Sequence, residues 1–311
     1  MEAYKWDEAI GHFQDAMKHA VGPELTTLHF LVGRCHHAPG RWKKALESFE
    51  ESSRLAEQFG DKQGKAAALD NIGVIRRERG EFDKALENFE TALGLAREIG
   101  ARQEEASALN NIGGTRLYKG ESEEVVLKYF EDSLKICQEI GDREGQASRF
   151  INIAIACPGD KAMDYAEKGL KLARETGAKK LEAGALANIG FLLKDKAGPD
   201  EMLRNHQDAL KLLREIGDKQ GEASTLANIG GWLVQGGKHE QALEPYLTGF
   251  MISSALDLAQ LSGPERFRWG LGKCLDALGR DKFIAACEKA GMPKLEAEKL
   301  AKELGSPAGK I

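Results

Sequence analysis

The sequence predicts an all-α repeat protein, and three observations support that prediction. A five-residue phrase recurs along the chain, and successive copies of its asparagine are 40, 41, 36 and 40 residues apart. A turn-like stretch such as GDKQGKA at 60–66 precedes each copy, and the apolar residues between these stretches recur at three-to-four spacing. A fixed period of this size with helical spacing inside it is typical of a solenoid. The copies are LDNIG at 69–73, LNNIG at 109–113, FINIA at 150–154, LANIG at 186–190 and LANIG at 226–230.

Residues 61–99 illustrate how one repeat forms two helices. The apolar residues of 62–79 fall on one stripe, and Gly80 can end this helix in a left-handed conformation. We expect Asp83 to cap a second helix, which carries an apolar face around Phe89 and closes at Ile99.

Most of the first helices contain a glycine, at 73, 113, 190 and 230. Glycine inside a helix costs about 1 kcal/mol relative to alanine. Close passage of another helix would offset this cost, so these glycines predict close helix–helix packing.

The same pattern predicts seven helix pairs, with one more helix before them and one after. All of them would form a single solenoid domain over 1–305, followed by a flexible tail at 306–311. The pairs are predicted at 24–58, 62–99, 103–140, 144–176, 180–216, 220–258 and 265–290, the first helix at 4–20 and the last at 294–304.

Three places depart from the pattern. The segment from Trp6 to Phe13 matches the second helix of a repeat whose first helix is missing. This favours a fragment boundary or a tolerated half-repeat over a self-association surface. Pro158 is expected to shorten the fourth pair, because proline cannot continue a helix, and Pro245 is expected to kink the helix that contains it.

The repeated unit resembles the tetratricopeptide repeat (TPR). The matching residues are Leu-x-x-Ile-Gly in the first helix, a glycine seven residues later, and Ala-Leu-x-x-Phe in the second helix. The long period is most similar to the forty-residue repeats of Pins/LGN-type adaptors and kinesin light chains. The resemblance implies a right-handed α-superhelix of about seven TPR pairs, with an N-terminal half-repeat helix and a C-terminal capping helix. It also implies that the first helices line the concave surface.

Carrying that concave face over by position predicts a peptide-binding groove with a ladder of asparagines. Amides donate and accept hydrogen bonds, as an extended peptide backbone does. The alternative is that these asparagines bond to neighbouring repeats and hold the superhelix together. In the last pair the register can be drawn through Gly270 or through Gly272. The predicted groove residues are Asn71, Val74, Arg77, Asn110, Asn111, Tyr118, Asn152, Asn188, Phe191, Lys194, Asn228 and Gln235.

Charge narrows the choice of partner. The net charge is −5 and the charged residues are interspersed, so we expect no nucleic acid. No apolar run approaches the roughly 20 residues of a membrane span, so we expect no membrane either.

TPR co-chaperones clamp an acidic C-terminus with Lys and Arg, but this chain has other residues at those positions. They are Val74, Gly114, Phe191 and Gly231.

The residue patterns predict no enzyme and no cofactor. Cys35-His36-His37 has metal-ligand chemistry, but no second cluster completes a zinc site. The five cysteines form no CxxC, which indicates a reduced, cytoplasmic compartment. We expect a scaffold or adaptor that binds an extended peptide segment of a partner protein. The alternatives are a regulatory sensor domain of a larger signalling protein, and a homo-oligomer that assembles through the uncapped N-terminal end.

Overall fold

The structure is a computed structural model that describes residues 2–157, 159–193, 199–255 and 263–305. These residues form sixteen α-helices and no strand. The helices are α1 (Glu2–Met17), α2 (Glu24–His37), α3 (Trp42–Phe59), α4 (Lys62–Glu78), α5 (Phe82–Ile99), α6 (Arg102–Tyr118), α7 (Glu123–Glu139), α8 (Arg143–Ala156), α9 (Asp160–Thr176), α10 (Lys179–Leu192), α11 (Pro199–Glu215), α12 (Lys219–Gln235), α13 (His239–Ala255), α14 (Gly263–Leu278), α15 (Arg280–Lys289) and α16 (Lys294–Gly305).

The predicted all-α class is confirmed, with one leading helix, seven helix pairs and one closing helix. Pro245 lies inside α13, which runs on to Ala255. Pro158, the tail at 306–311 and the last residues of the predicted pair at 220–258 lie outside the described residues. Within that description, no helix is long and apolar enough to cross a membrane.

The chain divides into two compact units, Met1–Ala162 and Met163–Ile311. In the first unit α2 packs on α3, α4 on α5 and α6 on α7, and each pair packs on the next. In the second unit α10 packs on α11, α12 on α13, and α16 on both α14 and α15. The single solenoid domain over 1–305 stays a prediction.

The recurring Gly-Asp-Lys stretches end one helix and begin the next. Gly60 takes a left-handed φ of 70° at the end of α3, a conformation that favours glycine. Asp61 then accepts a 2.8 Å hydrogen bond from the backbone N–H of Gly64 and caps α4. A side chain at Gly64 would collide with that carboxylate, which explains the glycine. The same cap joins Asp142 to Gly145 at α8, and Asp218 to Gly221 at α12.

The predicted cap at Asp83 is wrong. Glu81 precedes the first residue of α5 and makes no side-chain cap, while Asp83 lies within the first turn. Its carboxylate instead accepts a 2.6 Å hydrogen bond from Lys119 Nζ, which comes from the end of α6. Asp83 therefore forms an ion pair between two repeats and does not cap α5.

The glycines inside the first helices pack against rings of the second helices, so the predicted close packing is confirmed. A Cβ on Gly73 would lie 2.6 Å from the ring of Phe89, which is fully buried. Gly33, Gly113 and Gly230 meet Phe49, Phe130 and Tyr246 in the same way, and Gly190 meets the imidazole of His206. These contacts fix each first helix against its partner and so fix which residues remain on its other face.

Candidate functional site

A cavity of about 260 Å³ opens on the free face of α4, α6 and α8 in the first unit, and we call it the α4–α8 cavity. Five predicted groove residues meet there, from three consecutive first helices. Its lining is Arg77, Asn110, Asn111, Gly114, Leu117, Tyr118, Phe130, Asn152 and Ile155. The spacing argument therefore brings together residues that are up to 78 positions apart in the chain.

Asn111 connects two charged residues of α4, Asp70 and Arg77. Its Nδ2 donates a 2.8 Å hydrogen bond to Asp70 Oδ1, and its Oδ1 accepts a longer one, 3.4 Å, from Arg77 Nη1. An ionised carboxylate is an acceptor and a guanidinium is a donor, so this pair of neighbours fixes which way the amide points. Burial raises the pKa of Asp70, and the hydrogen bond from Asn111 opposes that rise.

A second amide bridge joins α6 to α8. Asn152 Nδ2 donates to Asn110 Oδ1 at 2.7 Å. Asn71, by contrast, donates to the carbonyl of Ala67 in its own helix at 2.9 Å. The ladder in the first unit thus includes two bridges between neighbouring first helices, and the bridging amides also line the cavity.

Arg77 provides the charge of the cavity. Its guanidinium lies 5.8 Å from the centre of the Phe89 ring, and Nη1 would be 3.5 Å from a Cβ placed on Gly114. Asn111 stands between Arg77 and Asp70, and Glu78 accepts a 3.1 Å hydrogen bond from His37 if that ring nitrogen carries a hydrogen.

Apolar side chains form the rim of the cavity. Tyr118 is 71% exposed, and its ring stacks on Phe82 with the ring centres 6.3 Å apart. Ile155 is also exposed, at 54%. Val74, which we predicted in the groove, is half-buried and packs against the apolar cluster around Phe89. The rim therefore offers apolar surface beside a polar interior.

The corresponding face of the second unit is aromatic. Phe191 is half-exposed and its ring centre lies 6.1 Å from that of Trp232. Trp232 Nε1 donates a 3.1 Å hydrogen bond to Nε2 of the buried His206. Burial and the nearby Arg266 lower the pKa of His206 to about 4, so its imidazole is neutral near pH 7.

The other predicted residues of the second unit are partly polar. Asn228 Oδ1 accepts a 2.7 Å hydrogen bond from Arg266 of α14. Asn188 is half-buried on α10 and Gln235 is exposed at the end of α12. Lys194 lies outside the described residues. The sequence analysis did not predict Trp232, His206 and Arg266 as neighbours of this face. The histidine at 206, where other repeats have an aromatic residue, could have indicated a polar contact there.

In the part of the chain that the structure describes, no three His, Cys, Asp or Glu side chains lie close enough together to hold a metal ion. Cys35 and His36 are buried in α2, and His37 pairs with Glu78.

Comparison with known proteins agrees with the helical repeat fold. Residues 64–126 match the family model described as the tetratricopeptide repeat. This part of the chain is therefore built from tetratricopeptide repeats. No curated protein matches the chain in sequence. The finer likeness to Pins/LGN and kinesin light chain repeats stays a prediction.

Several solved structures are similar to this chain in fold. The Rap conjugation gene regulator of the plasmid pLS20, in complex with the Phr* peptide, has a TM-score of 0.65 at 14% identity, over 82% of this chain and 71% of that one. NprR in complex with its cognate peptide NprX has a TM-score of 0.57 at 14% identity, over 97% of each chain. A signal transduction ATPase with a TPR sensor, from Pyrococcus horikoshii, has a TM-score of 0.57 at 15% identity, over 100% of this chain and 48% of that one.

Proposed function

We propose that this TPR chain is an interaction scaffold that binds an extended peptide segment of a partner protein at the α4–α8 cavity. The observation that supports it most is the convergence of Arg77, Asn110, Asn111, Tyr118 and Asn152 on one cavity. A peptide site needs a few placed polar groups within an apolar surround. Amides inside the cavity and apolar side chains at its rim meet that need.

The size of the cavity suits one anchoring residue of a longer ligand. Small-molecule pockets usually measure about 300–1,000 Å³, and this cavity is smaller, at about 260 Å³. The rest of a peptide would extend over the neighbouring faces of the first helices. Two of the structures that are similar in fold hold a peptide, which supports this ligand class.

The test fills the cavity without disturbing the core. A Cβ on Gly114 meets ordinary van der Waals contact with Arg77, so Gly114→Leu should fold and block the cavity. Gly94→Leu on α5 is the matched control, because nothing lies within 4 Å of a Cβ there. An array of random-sequence peptides would be incubated with each variant, and the Kd of the strongest binder measured by calorimetry.

We expect Gly114→Leu to weaken binding at least about tenfold and Gly94→Leu to leave it unchanged. Equal binding by both variants would move the site away from the cavity. If the wild-type chain binds no peptide of the array, peptide recognition itself is wrong.

A regulatory sensor domain is the second candidate. The likeness to a signalling ATPase that carries a TPR sensor supports it. A sensor should change its dimensions on binding its ligand, and a scaffold should keep them. Solution scattering with and without the selected peptide separates the two candidates.

A further inference from the structure

The α4–α8 cavity contains charge of one sign. Among the described residues that line it, Arg77 is a cation, three are amides and none is a carboxylate. Because the lining includes no acid, a ligand group of negative charge would meet donors at the cavity wall.

The guanidinium of Arg77 is held in position but forms no direct ion pair with a described residue. Within the described residues, no carboxylate oxygen lies at ion-pair distance, and the one hydrogen bond to Asn111 is long at 3.4 Å. A guanidinium has five N–H donors in a planar fork that matches the two oxygens of a carboxylate. Most of those donors are therefore available to a ligand.

Asp70, acting through Asn111, and the ring of Phe89 position this cation. Asp70 fixes the Asn111 amide so that its oxygen faces Arg77, and the Phe89 ring lies 5.8 Å from the guanidinium carbon. The attraction between a cation and an aromatic ring face acts within about 6 Å. Asp70, Asn111 and Phe89 are positioning residues in this arrangement, and Arg77 is the contact.

Two further features leave room for a ligand beside Arg77. Gly114 has no side chain, and its bare Cα leaves space next to Nη1. Asn110 uses its oxygen to accept from Asn152, so its amide nitrogen remains a donor with no partner in the described structure. A carboxylate in this space would meet a charged fork and a neutral donor together.

We propose that the α4–α8 cavity selects a carboxylate, which Arg77 binds and Asn110 supports. The carboxylate comes either from an acidic side chain of the bound peptide or from its C-terminus. This inference rests on the proposed peptide-binding function and names the anchor. It differs from the co-chaperone clamp, whose positions are Val74, Gly114, Phe191 and Gly231 in this chain.

A random-sequence peptide array in two forms tests the proposal and separates the two sources. One form ends in a free carboxylate and the other in an amide. We expect wild-type binders to be enriched in Asp or Glu in both forms if a side chain is the anchor. We expect binding to the free-acid form alone if the terminus is the anchor. Binders with no acidic preference in either form would overturn the proposal.

Charge reversal sharpens the same experiment. Arg77→Glu should change the preference from acidic to basic residues, whereas Lys128→Glu, the same charge change on the exposed face of α7, should leave it acidic. For the best peptide, Arg77→Gln should weaken binding by about 10- to 100-fold, since charge-assisted hydrogen bonds are lost.

A double-mutant cycle assigns that loss to one contact. Replacing the peptide's acid by its amide should cost the wild-type chain a similar factor and should cost Arg77→Gln almost nothing. Equal losses in both backgrounds would remove Arg77 as the contact. If peptides bind in a Gly114-dependent way without acidic preference, this inference fails and the proposed function stands. If Gly114→Leu does not weaken binding, the cavity is not the site and both fail.

Discussion

The two units share the glycine-to-ring packing but differ in what the first helices present on their free faces. In the first unit, amides and an acid bridge α4, α6 and α8 around a cavity, while phenylalanine rings fill the core behind them. In the second unit, aromatic side chains occupy the free face and a histidine replaces one of the core rings. The same backbone pattern therefore supports a polar recognition face in one unit and an aromatic face in the other.

The difference between the units can be traced to the ring that packs against the glycine of the first helix, which is Phe89 in one repeat and His206 in another. Phe89 is a fully buried apolar ring and needs no hydrogen-bond partner. His206 needs a donor for its unprotonated nitrogen, and Trp232 turns its N–H toward that nitrogen. Its other ring nitrogen is buried without a described partner. The second unit thus contains a polar group where the first unit has an apolar one.

The largest expected effect comes from removing the apolar ring. Phe89→Ala should destabilise the first unit by about 3–5 kcal/mol, because it leaves a cavity against Gly73. His206→Ala should cost less, since burying an imidazole with an unpaired nitrogen already opposes folding. Urea denaturation of the two variants measures both losses. A larger loss at His206 would show that its hydrogen bond to Trp232 outweighs that penalty.

The next largest expected effect is the acid sensitivity that His206 gives to the second unit. The pKa of His206 is about 4 in the fold against an ordinary value of 6.5, so the unfolded chain binds a proton first as pH falls. Stability that is present above pH 6.5 is therefore lost between pH 6.5 and 4, by roughly 3 kcal/mol.

His206→Phe isolates this effect from the other groups that titrate in the same range. The variant places a phenylalanine ring against Gly190, as in other repeats, and removes the titratable imidazole. We expect its free energy of unfolding to fall less steeply with acid than that of the wild type. Parallel curves for the two proteins would mean that His206 is not the group responsible.

The asparagines of the first unit should differ in importance. Asn111→Ala removes the hydrogen bond to a half-buried acid, which should cost about 1–3 kcal/mol. Asn71→Ala loses a bond within its own helix and should cost less than about 1 kcal/mol. Thermal melts of the two variants distinguish a structural ladder from a ladder that serves the ligand alone. Equal small losses would favour the latter.

Much of the fold could be predicted because the helices and turns of a solenoid are determined by sequence patterns within one repeat. The period, the Gly-Asp caps and the internal glycines each act within one repeat or between neighbours, so the sequence alone contains them. Helix faces followed from the same spacing, which brought Arg77, Asn110 and Asn152 to one cavity.

What could not be predicted depends on distances between helices. Whether Asn111 reaches Asp70 or a ligand depends on how closely α4 and α6 approach, and the spacing of residues does not give that distance. The Arg266 contact of Asn228 was missed because the register of α14 was open. The structure packs Gly270 against Tyr246, a ring of the preceding pair, and leaves Gly272 without a neighbour within 4 Å, so neither glycine repeats the contact seen in the other pairs.

The smallest expected effect compares two glycines that occupy equivalent places in the units. A Cβ on Gly114 would lie 3.5 Å from Arg77 Nη1, and one on Gly231 would lie 3.6 Å from the Tyr246 hydroxyl, both ordinary contacts. Alanine at either position should therefore stabilise its helix by about 0.5–1 kcal/mol, since neither helix needs glycine there. Thermal melts measure both gains. A loss at Gly114 alone would mean that Arg77 needs that space in the free protein, so the room beside its guanidinium would belong to the fold and not to a ligand.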